Sequence, residues 1–230
     1  ACSTGAPATG ARSDRAGDVA TGEKKGGELR PIAEGSVRLC VAISGPAPAP
    51  GSAPAALATT ATPPPGGWLV NGRKWFSTGI GNPECKILVF MGLSDAAADR
   101  HSRHTMVLVP RDAPGVKVER MLSTMGYYDE PLGHGDVSFT DVRVPVANIL
   151  LGPGRAYEIA QGRLGPGRVH HCMRLIGLAE MALDLAIRRG MDRVAFGKPI
   201  INLGGNRERI ADARIAIDHP ARVTRLALLA

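Results

Sequence analysis

Apolar positions along this chain follow two different periods, and one stretch follows neither. From Trp68 they come in short runs. Trp68–Val70 and Arg73–Trp75 flank Asn71-Gly72, which predicts a hairpin with a type I′ turn. Lys86–Gly92 (KILVFMG) is a continuous apolar run and predicts a buried strand. Thr105–Pro110 predicts another, closed by its proline, and Val116–Arg120 alternates like an edge strand. Val137, Phe139, Val142 and Val144 mark one more. Short strands at this spacing, with no helical pattern between them, predict a small antiparallel barrel or sandwich over residues 67–151.

From residue 152 the period changes. Pro166 suits a helix start. After it Val169, Cys172, Met173, Ile176, Ala179, Leu183, Ala186 and Ile187 recur at three- and four-residue steps, one face of an amphipathic helix. Gly190 reads as its stop. A second helix is predicted from about Gly205 to Asp218, interrupted or kinked by Pro220 and resumed by the last ten residues. Two such helices cannot close a core, so residues 152–230 read as an incomplete helical bundle that needs further helices. The predicted fold class is α+β, an antiparallel β barrel or sandwich followed by that partial bundle.

Residues 1–66 show neither period. They are Ala, Gly, Pro, Ser and Thr with scattered charges, they lack Phe, Trp and Tyr, and they end in TPPPGG, a linker signal. Val37–Ile43 is their one strand-like run. Such a composition buries too little apolar surface to offset backbone ordering, which predicts a largely disordered segment. The chain begins with Ala rather than Met, as a processed chain or a fragment would.

Charge changes the picture little. The formal net charge is +7. Residues 67–230 hold 22 Lys and Arg against 16 Asp and Glu, mixed throughout, so no basic block argues for nucleic acid. No apolar run reaches membrane-spanning length. Cysteines 2, 40, 85 and 172 lack CxxC spacing, which argues against a zinc site or a redox pair. His170-His171 point apart on a helix, and His101 and His104 lack a third ligand, so no metal site is predicted.

The chemistry worth weighing sits in Trp75-Phe76-Ser77-Thr78, an aromatic pair followed by two hydroxyls, in a chain with two Trp, three Tyr and four Phe. By strand alternation Trp75 and Phe76 point to opposite faces and one fills a core. The alternative is a wall for a flat aromatic ligand. Arg193-Val194-Ala195-Phe196-Gly197 reads by itself as a helix-end arginine favoured by the helix dipole. Arg168 reads as a first-turn surface residue.

NGRKWFSTG (71–79), MVLVPRDAPGVKVERMLSTMGY (106–127), VSFTDVRVPVANILLGPGRAYEIAQGRLGPGR (137–168) and DRVAFGKPI (192–200) resemble the middle and early C-terminal parts of an acyl-CoA dehydrogenase. GPGRAYEIAQGRLGPGRVHHCMRLIGLAEMAL (152–183) is most similar to the branch fused in animals to a phosphotransferase-like domain. The resemblance implies FAD bound between a β domain and a four-helix bundle, in homodimers or homotetramers. It places Trp75, Phe76 and Ser77 against the flavin, with a hydroxyl bonding its N5 or O4 edge. It places Arg193 on the pyrophosphate and Phe196 beside the adenine of a neighbouring subunit's FAD. Arg168 would line the acyl-CoA side. It also implies acyl-CoA substrates, an electron-transfer flavoprotein or another acceptor, and a mitochondrial or peroxisomal setting in a eukaryote, otherwise a cytoplasmic one.

The resemblance has gaps. Some relatives carry a Glu just before the counterpart of Arg168; here Gly167 stands there, and no catalytic base is assigned. A motif like TEPxxGSD is replaced by LATTATPPPGG (57–67). Three readings therefore stay open: α,β-dehydrogenation of acyl-CoA thioesters, with turnover silenced if the base is missing; a non-catalytic fragment keeping a family-type assembly surface; and a small basic interaction protein with a disordered arm.

Overall fold

The computed structural model describes residues 30–46, 53 and 57–229, with side chains to residue 227. It contains two compact units, the first ending at Gln161 and the second beginning at Gly162. Each is described by itself.

The first unit opens with one helical turn, α1 (Arg30–Ala33), and then β1 (Arg38–Ala42), β2 (Thr60–Thr62), β3 (Trp68–Thr78), β4 (Cys85–Leu93), β5 (His104–Pro110), β6 (Val116–Leu122) and β7 (His134–Val144). All seven strands belong to one sheet, ordered β1-β4-β2-β3-β7-β6, with β5 also paired to β4. Most pairs are antiparallel, but β1 and β2 both run parallel to β4. The sheet does not close into a barrel. Phe90 on β4 and Phe139 on β7, which are not neighbours in the sheet, meet edge to face at 4.7 Å. The sheet therefore folds over one apolar layer in the manner of a sandwich. Cys40, Ala61, Val70, Leu88, Val107 and Val137 fill that layer.

Three expectations need correcting. First, β1 and β2 lie inside the segment read as disordered, and Cys40, Ala42, Leu57 and Ala61 are core residues. Val37–Ile43 is apolar enough for a strand, but its partner β4 lies more than forty residues on, which no local pattern reveals. The disorder expected of residues 1–29, and of 47–52 and 54–56, falls outside the described residues.

Second, Asn71-Gly72 makes no hairpin. β3 runs through it for 11 residues. Asn71 instead clamps a bulge in β7: its Nδ2 donates to Asp141 Oδ1 at 3.1 Å, and the Asp141 backbone N–H donates to Asn71 Oδ1 at 2.8 Å. Gly72 has φ +122°, and a Cβ there would stand 2.6 Å from Thr59 Cγ2. Glycine is required by close approach to β2's lead-in, not by a turn.

Third, Pro166 lies inside a helix rather than at its start. α2 runs from Ala156 to Asp192, 37 residues, and passes Gly190. Its first residues belong to the first unit, where Ala156 and Ala160 pack with Met91, Met106 and Leu150. This packing fixes the helical start ten residues before the proline.

In the second unit, α2 continues and is followed by a two-stranded hairpin, β8 (Val194–Ala195) with β9 (Lys198–Pro199), and by α3 (Gly204–Leu229). Pro220 sits within α3. Arg214 on α3 reaches Glu180 on α2 with both terminal nitrogens, and Leu183 and Ile217 are buried. Several apolar side chains stay exposed, among them Leu175 and Leu185 on α2 and Ile215 and Leu226 on α3.

Candidate functional site

The site grows from one irregularity in β3. Lys74 pairs with Val137, but Ser77 pairs with Gly135, so two residues of β3, Trp75 and Phe76, face one residue of β7, Asp136. This is a β-bulge, and Phe76 carries it at φ +48°, a left-handed conformation costly for a bulky residue. Strict alternation is broken. Lys74 and Ser77 both point inward, with two outward-leaning aromatics between them. The Trp75 and Phe76 rings meet edge to face at 5.4 Å rather than parting to opposite faces. Phe76 is 43 % exposed.

The inner side of the bulge is tightly determined. Lys74 is fully buried, its Nζ donates to the Ile43 carbonyl at 2.8 Å, and the ammonium lies 4.9 Å from the centre of the Phe90 ring. Burial lowers its pKa to about 7. Ser77 is 1 % exposed, and its hydroxyl is without a hydrogen-bond partner among the described residues.

Asp136, opposite the bulge, is buried and receives two bonds from the Arg73 guanidinium and a third from Arg120 Nε at 3.4 Å. The Arg73 bonds hold its carboxyl below the usual range, against the opposing effect of burial. A carboxylate pinned by arginines on both flanking strands locks β3, β7 and β6 around the irregularity.

The outer side gathers an aromatic ring and polar groups. Phe76 and Thr78, two residues apart, are both exposed, and both approach His134 at the start of β7. The imidazole centre is 6.3 Å from that of Phe76. Its Nδ1 is 3.0 Å from Thr78 Oγ1, and its Nε2 is 3.0 Å from Asp129 Oδ2. The face thus offers an aromatic ring, a hydroxyl and an imidazole. Sequence reasoning named Trp75, Phe76 and Ser77, with Thr78 as the second hydroxyl of the run, and did not name His134. The structure turns Ser77 inward, so the hydroxyl beside Phe76 is that of Thr78. Phe76 and Thr78 share that face because they are two residues apart on one strand.

The remaining predicted residues lie in the second unit. Arg193 immediately precedes the β8–β9 hairpin, and Phe196 lies in its turn: the two turn residues, Phe196 and Gly197, have φ +54° and +76°. Phe196 is 91 % exposed at the tip. The Ile200 N–H donates to the Arg193 carbonyl at 2.8 Å and closes the hairpin base. Arg168 is exposed on α2. The structure brings Trp75, Phe76 and Ser77 together in one unit and Arg193 and Phe196 in the other.

This chain matches the family model for the acyl-CoA dehydrogenase middle domain over residues 40–142. The model for the C-terminal domain of the same family matches residues 154–227. The chain belongs to the acyl-CoA dehydrogenase family. Acyl-CoA dehydrogenase family member 10 of Mus musculus is 50% identical over 198 residues, 86% of this chain and 18% of that protein. Family member 11 of Gallus gallus is 43% identical over 206 residues, 89% of this chain and 26% of that protein. A solved Mycobacterium abscessus structure, assigned to the acyl-CoA dehydrogenases, superimposes with a TM-score of 0.87 at 53% identity, over 97% of this chain and 55% of that one. Butyryl-CoA dehydrogenase of Megasphaera elsdenii shares the fold, with a TM-score of 0.81 at 24% identity. The chain therefore spans between about a fifth and about half of the relatives it matches. The family model begins at Cys40, within β1, in agreement with the strands found before residue 67.

Proposed function

We propose that this chain supplies the flavin-facing wall of an FAD-dependent acyl-CoA dehydrogenase acting on acyl-CoA thioesters. The observation that carries the reading is the β3 bulge, which sets Phe76 and Thr78 on one exposed face at a backbone conformation that sterics oppose. An outlying conformation held by surrounding packing is where function concentrates. The residues fit the group. A tricyclic ring offers a flat surface to Phe76, worth about 0.5–1.5 kcal/mol beyond area burial, and polar edge atoms to the Thr78 hydroxyl. When bound, FAD supplies the acceptor for a hydride leaving the thioester β-carbon. Phe76 and Trp75 would cover one side and exclude water, and Thr78 would bond the edge. Arg193 would meet a diphosphate through its guanidinium fork, and Phe196, which no described residue covers, would be buried against an adenine in an assembled homodimer or homotetramer. Arg168 would line the acyl-CoA side. An electron-transfer flavoprotein or another acceptor would reoxidise the enzyme. No described carboxylate is assigned as the base, and Gly167 stands where some relatives place a Glu.

A second reading is favoured by the second unit. Its exposed Leu175, Leu178, Leu185, Ile215 and Leu226 offer apolar area for assembly with other helices, and a chain doing that alone would be a non-catalytic subunit-assembly fragment. Reconstitution with FAD separates the two. A yellow protein whose flavin absorbance bleaches with an acyl-CoA meets the first reading. Bound FAD without bleaching keeps the flavin site and overturns dehydrogenation. A colourless oligomer overturns both parts of the first reading and leaves the second.

A further inference from the structure

We propose that Lys74 is a positioning residue for the aromatic face: its buried ammonium fastens the β3 bulge to the chain leaving β1, and so holds Trp75 and Phe76 where a flat ligand would meet them. The inference deepens the flavin reading and rests on it for the nature of the ligand, but the clasp is made of this chain's own bonds.

A bulge interrupts the ladder and leaves backbone groups to find other partners. The pairing of β3 with β7 runs through Lys74 and resumes at Ser77, skipping Trp75 and Phe76. The Trp75 N–H donates instead to the Ser44 carbonyl at 3.1 Å, two residues past the end of β1. Lys74 makes the matching bond one step back: its Nζ donates to the Ile43 carbonyl at 2.8 Å. Two consecutive residues of β3 thus supply donors to two consecutive carbonyls beyond β1. A single bond would let the bulge pivot; two fix both its place and its direction. The post they hold to is firm, because β1 pairs with β4 from Arg38 to Ala42. Phe76, at φ +48°, needs such a restraint, since a strand free to shift would relax out of that conformation.

Stability alone does not call for an ammonium here. Lys74 is fully buried between the Ile43 carbonyl and the Phe90 ring, and no described carboxylate pairs with it. Burial pulls its pKa down to about 7, so folding opposes the charge. The basic group facing it makes the charge costlier still. His104 on β5 is buried as well, its pKa lowered by burial and, in smaller part, by the Lys74 charge. His104 Nε2–H donates to the Leu57 carbonyl at 3.3 Å, just ahead of β2. Methionine has a similar length and would fill the place of Lys74 without a charge. What the lysine adds over methionine is the donor to Ile43, and that donor acts on the bulge.

Positioning and mere core filling predict opposite patterns in Lys74→Met. Three measurements compare it with the native chain, both as the full 230 residues and below the Lys74 pKa of about 7. The denaturant midpoint is expected to stay the same or rise, because a buried charge has been removed. Hydrogen exchange at the Trp75 amide is expected to speed up about tenfold or more while the core amides of β4 and β7 keep their protection. Affinity for FAD is expected to fall about tenfold, the scale of one charge-assisted hydrogen bond. Native Trp75 exchange together with native FAD affinity in Lys74→Met overturns the inference. So does a joint fall of stability, of protection throughout the sheet and of FAD affinity, the pattern of a residue that only fills space. If Lys74→Met does not fold, the native chain decides by NMR: a protected Trp75 amide with slowly exchanging Lys74 ammonium protons supports the clasp, and free exchange at either overturns it. Failure of the native chain to bind FAD overturns the functional reading instead, and stability and exchange then decide the clasp.

Discussion

The two ends of this molecule hold their candidate residues in opposite ways. In the first unit, Phe76 and Thr78 stand on a strand whose inner residues are buried, whose neighbour carries a carboxylate pinned by two arginines, and whose irregularity is set by register. In the second, Phe196 stands at the tip of a two-residue-per-strand hairpin with its ring in solvent. The first arrangement is pre-organised by its own core. The second acquires a defined surrounding when something is placed against it. A flavin wall needs the former, because ring and hydroxyl must keep a fixed separation. A group that reaches toward a neighbouring subunit tolerates the latter.

Substitutions sharpen that contrast. The largest effect is expected from Gly72→Val, which combines positive φ with a Cβ overlapping Thr59. Denaturant unfolding of the β unit should show a loss of about 3 kcal/mol; a loss under 1 kcal/mol would mean that β2 yields easily and the bulge is not held. Next comes Asp136→Asn, which removes the charge shared by Arg73 and Arg120. Because those guanidiniums are half in water, a loss of about 2 kcal/mol is expected, with the aromatic pair loosened enough to change Trp75 fluorescence.

A third prediction concerns pH. An unfolded lysine titrates near 10.5 and buried Lys74 near 7. Between those values the unfolded chain holds more protons, so stability gained from this group rises as pH climbs from about 7 to 10.5. Lys74→Met should flatten that rise in thermal melts. An unchanged slope would place the amine in contact with water. The smallest effect belongs to Phe196→Ala. The isolated chain should lose less than about 0.5 kcal/mol, while self-association, measured by sedimentation with FAD present, should weaken.

Much of the β unit was legible because β4, β5 and β7 announce themselves as apolar runs and alternations. The rest was hidden for physical reasons. β1 showed as the strand-like run Val37–Ile43, but it pairs in parallel with a strand far along the chain, so the segment around it read as disordered. Asn71-Gly72 carries the residues of a tight turn, yet the asparagine bonds across to Asp141 and the glycine admits Thr59. Pro166 reads as a boundary, but packing of Ala156 and Ala160 starts the helix earlier. At the site, the Trp75-Phe76 pair was visible as an oddity, while the bulge that turns the Ser77 hydroxyl inward was not. A period-two pattern carries no mark of one extra residue. His134 was unreadable because its partners lie 56 residues before it and five residues before it on an irregular connection.

The most direct test is a titration of FAD, read by flavin fluorescence, into the native chain, Phe76→Ala, Thr78→Val and Ser77→Ala. We expect Phe76→Ala and Thr78→Val each to weaken binding about tenfold, and Ser77→Ala to bind like the native chain. Weakening by Ser77→Ala, with native binding by the other two, would contradict the outward assignment of Phe76 and Thr78.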